Sequence, residues 1–260
     1  LFNGFRKADQ DSLRAAEDFL SGLRREGSTN IYGALKPFTG AAAREGRGPR
    51  PLLLFLASDG KVNTGEVVDS RALINRLSNE NQEGSSIFTF CTGRGANNFL
   101  LDLLAYRNRG ESLRTEQVEK SRVVLEKFVE QVSDILVMGL DYQISGGFAD
   151  STFPKSLPHL YRRHTLSVYG RYPAGARDAG LRITGIDSLG RRQELIYKAD
   201  IASAVPADET LMRSWAMQYV YHLYSRLTVA YDEKLKGEIR RTAGQYGLDL
   251  PYIDTYMVKK

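Results

Sequence analysis

Two periodicities divide the chain. Up to about Ile135, amphipathic helical patterns alternate with short, continuous apolar runs. Leu13, Ala16, Leu20 and Leu23 fall at helical spacing behind Asp11, a suitable N-cap, and predict a first helix. After a polar loop from Arg25 to Thr29, Ile31, Ala34, Leu35 and Phe38 predict a second. The run from Leu52 to Ala57 reads as a buried strand, Val68, Ala72, Leu73 and Leu77 as a helix, and Ile87 to Cys91 as another strand. Helices through Phe99, Leu100, Leu103 and Leu104, and through Val118, Leu125, Phe128, Val132 and Ile135, complete this half. Apolar strands separated by amphipathic helices are what a parallel sheet covered on both faces requires. The first half is therefore expected to be α/β, a doubly wound and mostly parallel sheet.

Beyond Ile135 the period shortens. Leu136, Met138, Leu140, Tyr142 and Ile144 alternate with small or polar residues, as do Leu166, Val168 and Tyr172, so strands with one wet face are expected. Between them lies a loop from Ser145 to Pro158, and a hairpin turning at Asp187-Ser188-Leu189-Gly190 joins Leu181–Ile186 to Gln193–Ile201. The pattern then returns to helix. Met212, Trp215, Tyr219, Leu223 and Leu227 share one face, and Leu235, Ile239, Ala243 and Tyr246 another, with Gly247 as a C-terminal stop. Three segments result: 1–135 α/β, 136–205 β-rich, and 206–260 a helix pair ending in a short strand. At this spacing Trp215 and the tyrosines read as packing residues rather than a ligand box.

Composition narrows the class. The chain has 260 residues, 42% hydrophobic and 26% charged, as in an ordinary globular protein. No apolar run approaches the roughly 20 residues of a membrane span. The formal charge of +5 is spread along the chain, so a nucleic-acid partner is not expected. Cys91 is the only cysteine, which excludes a disulfide framework and a zinc-cysteine set, and inside SIFTFCTG it reads as a buried small residue. A dinucleotide fingerprint is not completed, because Asn98 stands where the third glycine after Gly93 and Gly95 belongs. No P-loop, G-x-S-x-G elbow or H-E-x-x-H occurs, and His159, His164 and His222 lack ligand spacing.

In an open parallel sheet, ligands gather beyond the carboxyl ends of the strands. Three polar segments are expected there: Gly27-Ser28-Thr29-Asn30, Ser58-Asp59-Gly60 and the loop Thr92 to Asn98. A hydroxyl from Thr29 and a carboxylate from Asp59, both hard oxygen donors, are the beginning of a magnesium or calcium site, with Ser28, Ser58 and Gly60 at its rim. The same residues have structural readings, since Ser-Thr-Asn caps helices and Asp-Gly ends turns. A magnesium-dependent hydrolase or phosphotransferase, with Asp59 as ligand or nucleophile, would use this edge too. It would need a second carboxylate or a general base, and only Glu66 and Asp69 are near in sequence.

GSTNIYGAL, LLLFLASDGKVNTGE and IFTFCTGRGANNFLLDLLAYRNRG, in this order, resemble the later two thirds of a von Willebrand factor type A domain. FVEQVSDILVMGLDYQIS, MRSWAMQYVYHLYSRL and IRRTAGQYGLDLPYIDTYMV are similar to the segment that follows it in inter-α-trypsin inhibitor heavy chains and their bacterial relatives. The resemblance implies a non-enzymatic, extracytoplasmic module for adhesion or protein binding. It implies a metal-ion-dependent adhesion site holding Mg2+ (or Ca2+ or Mn2+), whose open position takes an acidic side chain of a partner protein. Thr29 and Asp59 match the family's loop threonine and last aspartate. The family's D-x-S-x-S and the first strands of its sheet do not occur in these residues, so ion binding by this chain is expected to be weak or absent and the sheet edge unpaired.

Overall fold

The structure, a computed structural model, describes residues 1–2, 4–24, 27–40, 50–82, 84–250 and 252. Strands β1 (Leu53–Ala57), β2 (Ser86–Thr92) and β3 (Ser112–Thr115) make a parallel sheet in the order β1-β2-β3. Its register places Leu54 beside Ile87 and Thr89 beside Ser112. Strand β3 is absent from the periodicity reading for a plain reason: its sequence, SLRT, carries one apolar residue. Pairing with β2 makes it a strand.

Most of the helices start on a side chain suited to the task, while Ser121–Val132 has no such side-chain cap. Helices α1 (Gln10–Ser21), α3 (Ser70–Glu80), α4 (Asn98–Arg107), α6 (Glu209–Val229) and α7 (Glu233–Tyr246) are capped by Asp9, Asp69, Asn97, Asp208 and Asp232. Asp9, not Asp11, is therefore the first cap, and its carboxylate accepts from Ser12 N at 3.0 Å. Helix α2 (Ile31–Leu35) passes into one 3-10 turn at Pro37. Helix α5 is Ser121–Val132, shorter than its apolar pattern suggests, since Val118 sits in a 3-10 turn and Ile135 begins a strand. Gly247 closes α7 in the left-handed region, at φ 59°. Part of the Arg25–Thr29 loop and the expected closing strand after Tyr252 lie outside the described residues.

The two sheet faces are buried differently. Leu54, Leu56 and Ile87 meet α3, α4, α6 and α7 in one core, where Leu73, Ile74, Leu77, Phe99, Leu100, Leu103 and Ile239 are fully buried. Each such side chain contributes about 1.5–3 kcal/mol. On the other face Phe128 of α5 packs on Phe55 and Phe88, with ring centroids 5.5 and 4.8 Å apart. Phe55 nevertheless remains 45% exposed. Among the described residues β1 pairs with β2 alone, leaving the open edge expected of it. Helix α1 buries none of its residues, so the apolar stripe through Leu13 and Leu20 faces outward.

The β-rich part is a second, antiparallel sheet in the order β6-β4-β8-β9, from β4 (Ile135–Ser145), β6 (Leu160–Tyr161), β8 (Asp178–Asp187) and β9 (Arg192–Asp200). The β8–β9 hairpin is the expected one. Asp187 holds its turn, with Oδ1 accepting from Leu189 N and Arg191 N at 2.9 Å each and Oδ2 from Arg191 Nε and Gln193 Nε2. The expected strand through Leu166, Val168 and Tyr172 shrinks to β7 (Tyr169–Gly170), which pairs with β5 (Thr152–Phe153) inside the presumed loop. Leu166 and Val168 instead pack as loop residues beside Leu140, Leu157 and Ile183. Trp215 is a packing residue: its ring stacks 5.3 Å from Tyr219, and Nε1 donates to Ser151 O at 2.8 Å.

Candidate functional site

The carboxyl ends of β1 and β2 hold all three polar segments singled out from the sequence, and hydrogen bonds tie them together. Thr29 N donates to Asn63 Oδ1 at 2.7 Å, and Asn63 N returns a bond to Thr29 O at 3.2 Å. The loop before α2 is thereby stitched to the loop after β1. Asn97 makes the second link: its N–H donates to Asp59 O at 2.7 Å and its amide to Gly60 O at 3.2 Å, while Oδ1 caps α4. Asn63 and Asn97 were not marked as site residues by the sequence. Their only signal is an amide in an irregular segment, and amides are common in any loop.

Asp59 is exposed and fills the turn role considered for it. Oδ1 accepts from Lys61 N at 3.0 Å, an Asx turn. Among the described residues neither Asp59 Oδ2 nor Thr29 Oγ1 has a hydrogen-bond partner, so both oxygens are available to something else. Thr29 is half-buried and Ser28 exposed. Ser58 Oγ accepts from Gly60 N at 3.1 Å and so belongs to the turn. Gly60 is buried at φ 72°, and a Cβ there would stand 3.1 Å from Asn97 Cβ and O and 3.2 Å from Leu101 Cγ. Gly60→Ala is expected to cost about 1–3 kcal/mol, read as a lowered urea midpoint with unchanged m. An unchanged midpoint would mean the loop yields freely.

The neighbouring acids do not extend the set. Glu66 is held by Arg76 at 2.5 Å and Lys36 at 3.4 Å, and its carboxyl is pulled below the usual range by the Arg76 hydrogen bond first. Asp69 Oδ1 caps α3 through Arg71 N and Ala72 N. Both carboxylates are thus engaged by other partners. Among the described residues no group of three or more His, Cys, Asp or Glu side chains is placed to hold an ion. A hard divalent cation takes about six oxygens. One carboxylate and one hydroxyl do not fit that demand by themselves. Cys91 is buried, as its sequence context suggested, and burial raises its thiol pKa, with a contribution from the Asp59 charge.

No family model and no curated protein matches the sequence. Solved structures do. Human COPII-coat protein Sec24c is 14% identical over 95% of this chain and 40% of its own, with a TM-score of 0.58. The von Willebrand factor type A protein from Catenulispora acidiphila is 14% identical over 92% of this chain and 65% of its own, with a TM-score of 0.50. The ArnB paralog VWA2 from Sulfolobus acidocaldarius is 19% identical over 90% and 65%, with a TM-score of 0.47, too low to argue from. The chain thus spans 40% to 65% of the lengths of these structures. The class they define is a von Willebrand factor A-like α/β fold, and identities this low speak for the fold alone. None of the three is an inter-α-trypsin inhibitor heavy chain, so that narrower likeness rests on the sequence motifs.

Proposed function

We propose that this chain is a non-enzymatic protein-binding module that reads its partner at the carboxyl edge of the parallel sheet, around Asp59 and Thr29. One observation carries the reading. The loops before α2, after β1 and after β2 are cross-bonded into one exposed polar edge, and that edge leaves Asp59 Oδ2 and Thr29 Oγ1 without partners among the described residues. Open parallel sheets bind ligands at this edge. The motif resemblance to adhesion domains and heavy chains supports the finer form of the proposal, an extracytoplasmic adhesion module meeting an acidic side chain. A divalent ion enters this reading only with oxygen donors beyond those described. No helix among the described residues is long and apolar enough to cross a membrane.

The test is a titration of the chain, Asp59→Ala and Thr29→Ala with Mg2+, and then with a glutamate-containing peptide at saturating Mg2+. The chain alone is expected to bind Mg2+ more weakly than about 10⁻³ M, the loose end of built oxygen-ligand sites. Where Mg2+ bridges the two carboxylates, peptide binding is expected to weaken at least about tenfold in each variant, because each substitution removes an oxygen donor to the bridging ion. Equal peptide affinity in all three proteins would remove these residues from the recognition surface.

A further inference from the structure

The strand-end edge is not the molecule's only built feature. Helix α4 starts there at Asn98 and ends at Arg107, about 15 Å along its axis. At that far end lies a cavity of about 290 Å3 between α3, α4, α6 and the segment after β5. Arg107, Lys155, His222, Ser78, Ser156 and Ser225 line it, and among the described residues no carboxylate does.

We infer that this cavity is a binding site for a small-molecule phosphomonoester. The charge argument comes first. Both permanent cations are held by neutral acceptors: Arg107 Nη1 donates to Thr228 Oγ1 at 3.0 Å and to Asn75 Oδ1, and Lys155 Nζ to the carbonyls of Ala149 and Asp150 at 2.8 and 3.0 Å. Among the described residues neither forms an ion pair, although the Asp150 charge acts on Lys155. Desolvation lowers the pKa of Arg107, the mark of a cation partly removed from water without full compensation, while Lys155 is exposed and its Nζ also lies 4.5 Å from the centre of the Phe153 ring. A partly buried cation such as Arg107 gains from an anion that joins it, and exposed Lys155 adds a second charge at the mouth. The helix dipole accounts for a cation in the last turn of α4. It does not account for Lys155, His222 and three hydroxyls gathered around the same space.

Hydrogen-bonding capacity and size then select the ligand. A guanidinium has five donors and an ammonium three, so both retain donors beyond the bonds described. Neither ring nitrogen of His222 has a partner among the described residues, and the ring is fixed by Phe153, 5.1 Å away. The cations Lys155 and Arg226 both act on His222, so the field there is positive. Two fixed positive charges match a phosphomonoester, which carries about −1.5 to −2 near neutrality, better than a monocarboxylate. Room for roughly ten waters exceeds one phosphate group and admits a small organic body. Tyr106 and Ser156 also line a neighbouring cavity of about 360 Å3.

The assignment is tested by calorimetry at constant ionic strength and pH 7 with inorganic phosphate, glucose 6-phosphate, glucose and sulfate as probes. Histidine NMR runs in parallel. Glucose 6-phosphate is expected to bind saturably, at least tenfold more tightly than sulfate, with no binding of glucose. Occupancy is expected to raise the titration midpoint of His222 and leave that of His159, which lines neither cavity, unmoved. Lys155→Met, at an exposed position, and Ser225→Ala are expected to weaken binding at least tenfold while the far-ultraviolet circular dichroism stays the same. Equal binding of phosphate and sulfate, rejection of the ester, an unmoved His222, or full affinity in Lys155→Met would overturn it. Asp59→Ala is expected to leave this binding intact, which separates the site from the strand-end edge.

Discussion

Between pH 7 and pH 4 in phosphate-free buffer the protein is expected to lose stability steeply, because two histidines resist protonation in the folded state. His159 is 4% exposed, and burial first, then the charge of Arg109, lowers its pKa from 6.5 to about 4. Its Nδ1 accepts from Gly139 N at 3.2 Å, which favours the neutral ring. His222 falls to about 4 as well, by burial and then by Lys155 and Arg226. The unfolded chain takes up these protons as the pH drops below about 6.5, while the native state does not until about 4. Stability is therefore complete above 6.5 and declines across that window, each histidine accounting for on the order of 3 kcal/mol at its foot. Two groups soften the slope. Asp102, whose carboxyl is raised by burial, favours the folded state when protonated, and His164, raised by its bond to Glu111, takes its proton more readily when folded. Urea unfolding at pH 7, 5.5 and 4.5 checks the effect. His159→Asn and His222→Asn combined should flatten the decline, and an unchanged slope in that double variant would assign the acid sensitivity elsewhere.

Gly110→Ala is expected to abolish folding. A Cβ at residue 110 would lie 1.9 Å from Ile87 O, 2.5 Å from Ile87 C and 3.1 Å from Phe88 N. These are backbone atoms of β2, the central strand of the parallel sheet, which is bonded on both sides and cannot retreat without breaking a ladder. The neighbouring bonds, Ile87 N to Asn108 O and Thr89 N to Glu111 O, would be lost with it. The cost is expected to exceed about 4 kcal/mol, the range reserved for gross steric failure. Gly244→Ala in α7 is the control, since nothing stands within 4 Å of a Cβ there, and it should stabilise by about 0.5–1 kcal/mol. Thermal and urea denaturation of the two variants, if they moved together, would show that the contact at Ile87 is not limiting.

Much of the fold was legible because burial and periodicity coincide. Ile87 to Cys91 and Phe99 to Leu104 are buried nearly throughout, and such runs announce themselves. Gly247 was readable as a stop because only a left-handed residue ends a helix in that way. Strands β3, β5 and β6 were not, since two to four residues with mixed chemistry become strands only through a partner elsewhere in the chain. Leu13 and Leu20 mark the reverse case. Their spacing is amphipathic, yet spacing cannot say whether the stripe is covered, and here it is exposed. Thr29 and Asp59 could be named from resemblance, but Asn63 and Asn97, which bind their loops together, could not.

By itself the sequence determined the α/β character, the hairpin at Asp187, the helix stop at Gly247 and the polar loops, because each is encoded in short stretches of chain. Only the tertiary structure decided that α6 and α7 share one core with α3 and α4, and that Arg107, Lys155 and His222, from three separate segments, line one cavity to which no carboxylate among the described residues contributes. Residues so far apart meet through packing and sheet register, which depend on the whole chain at once. Local periodicity carries no record of that.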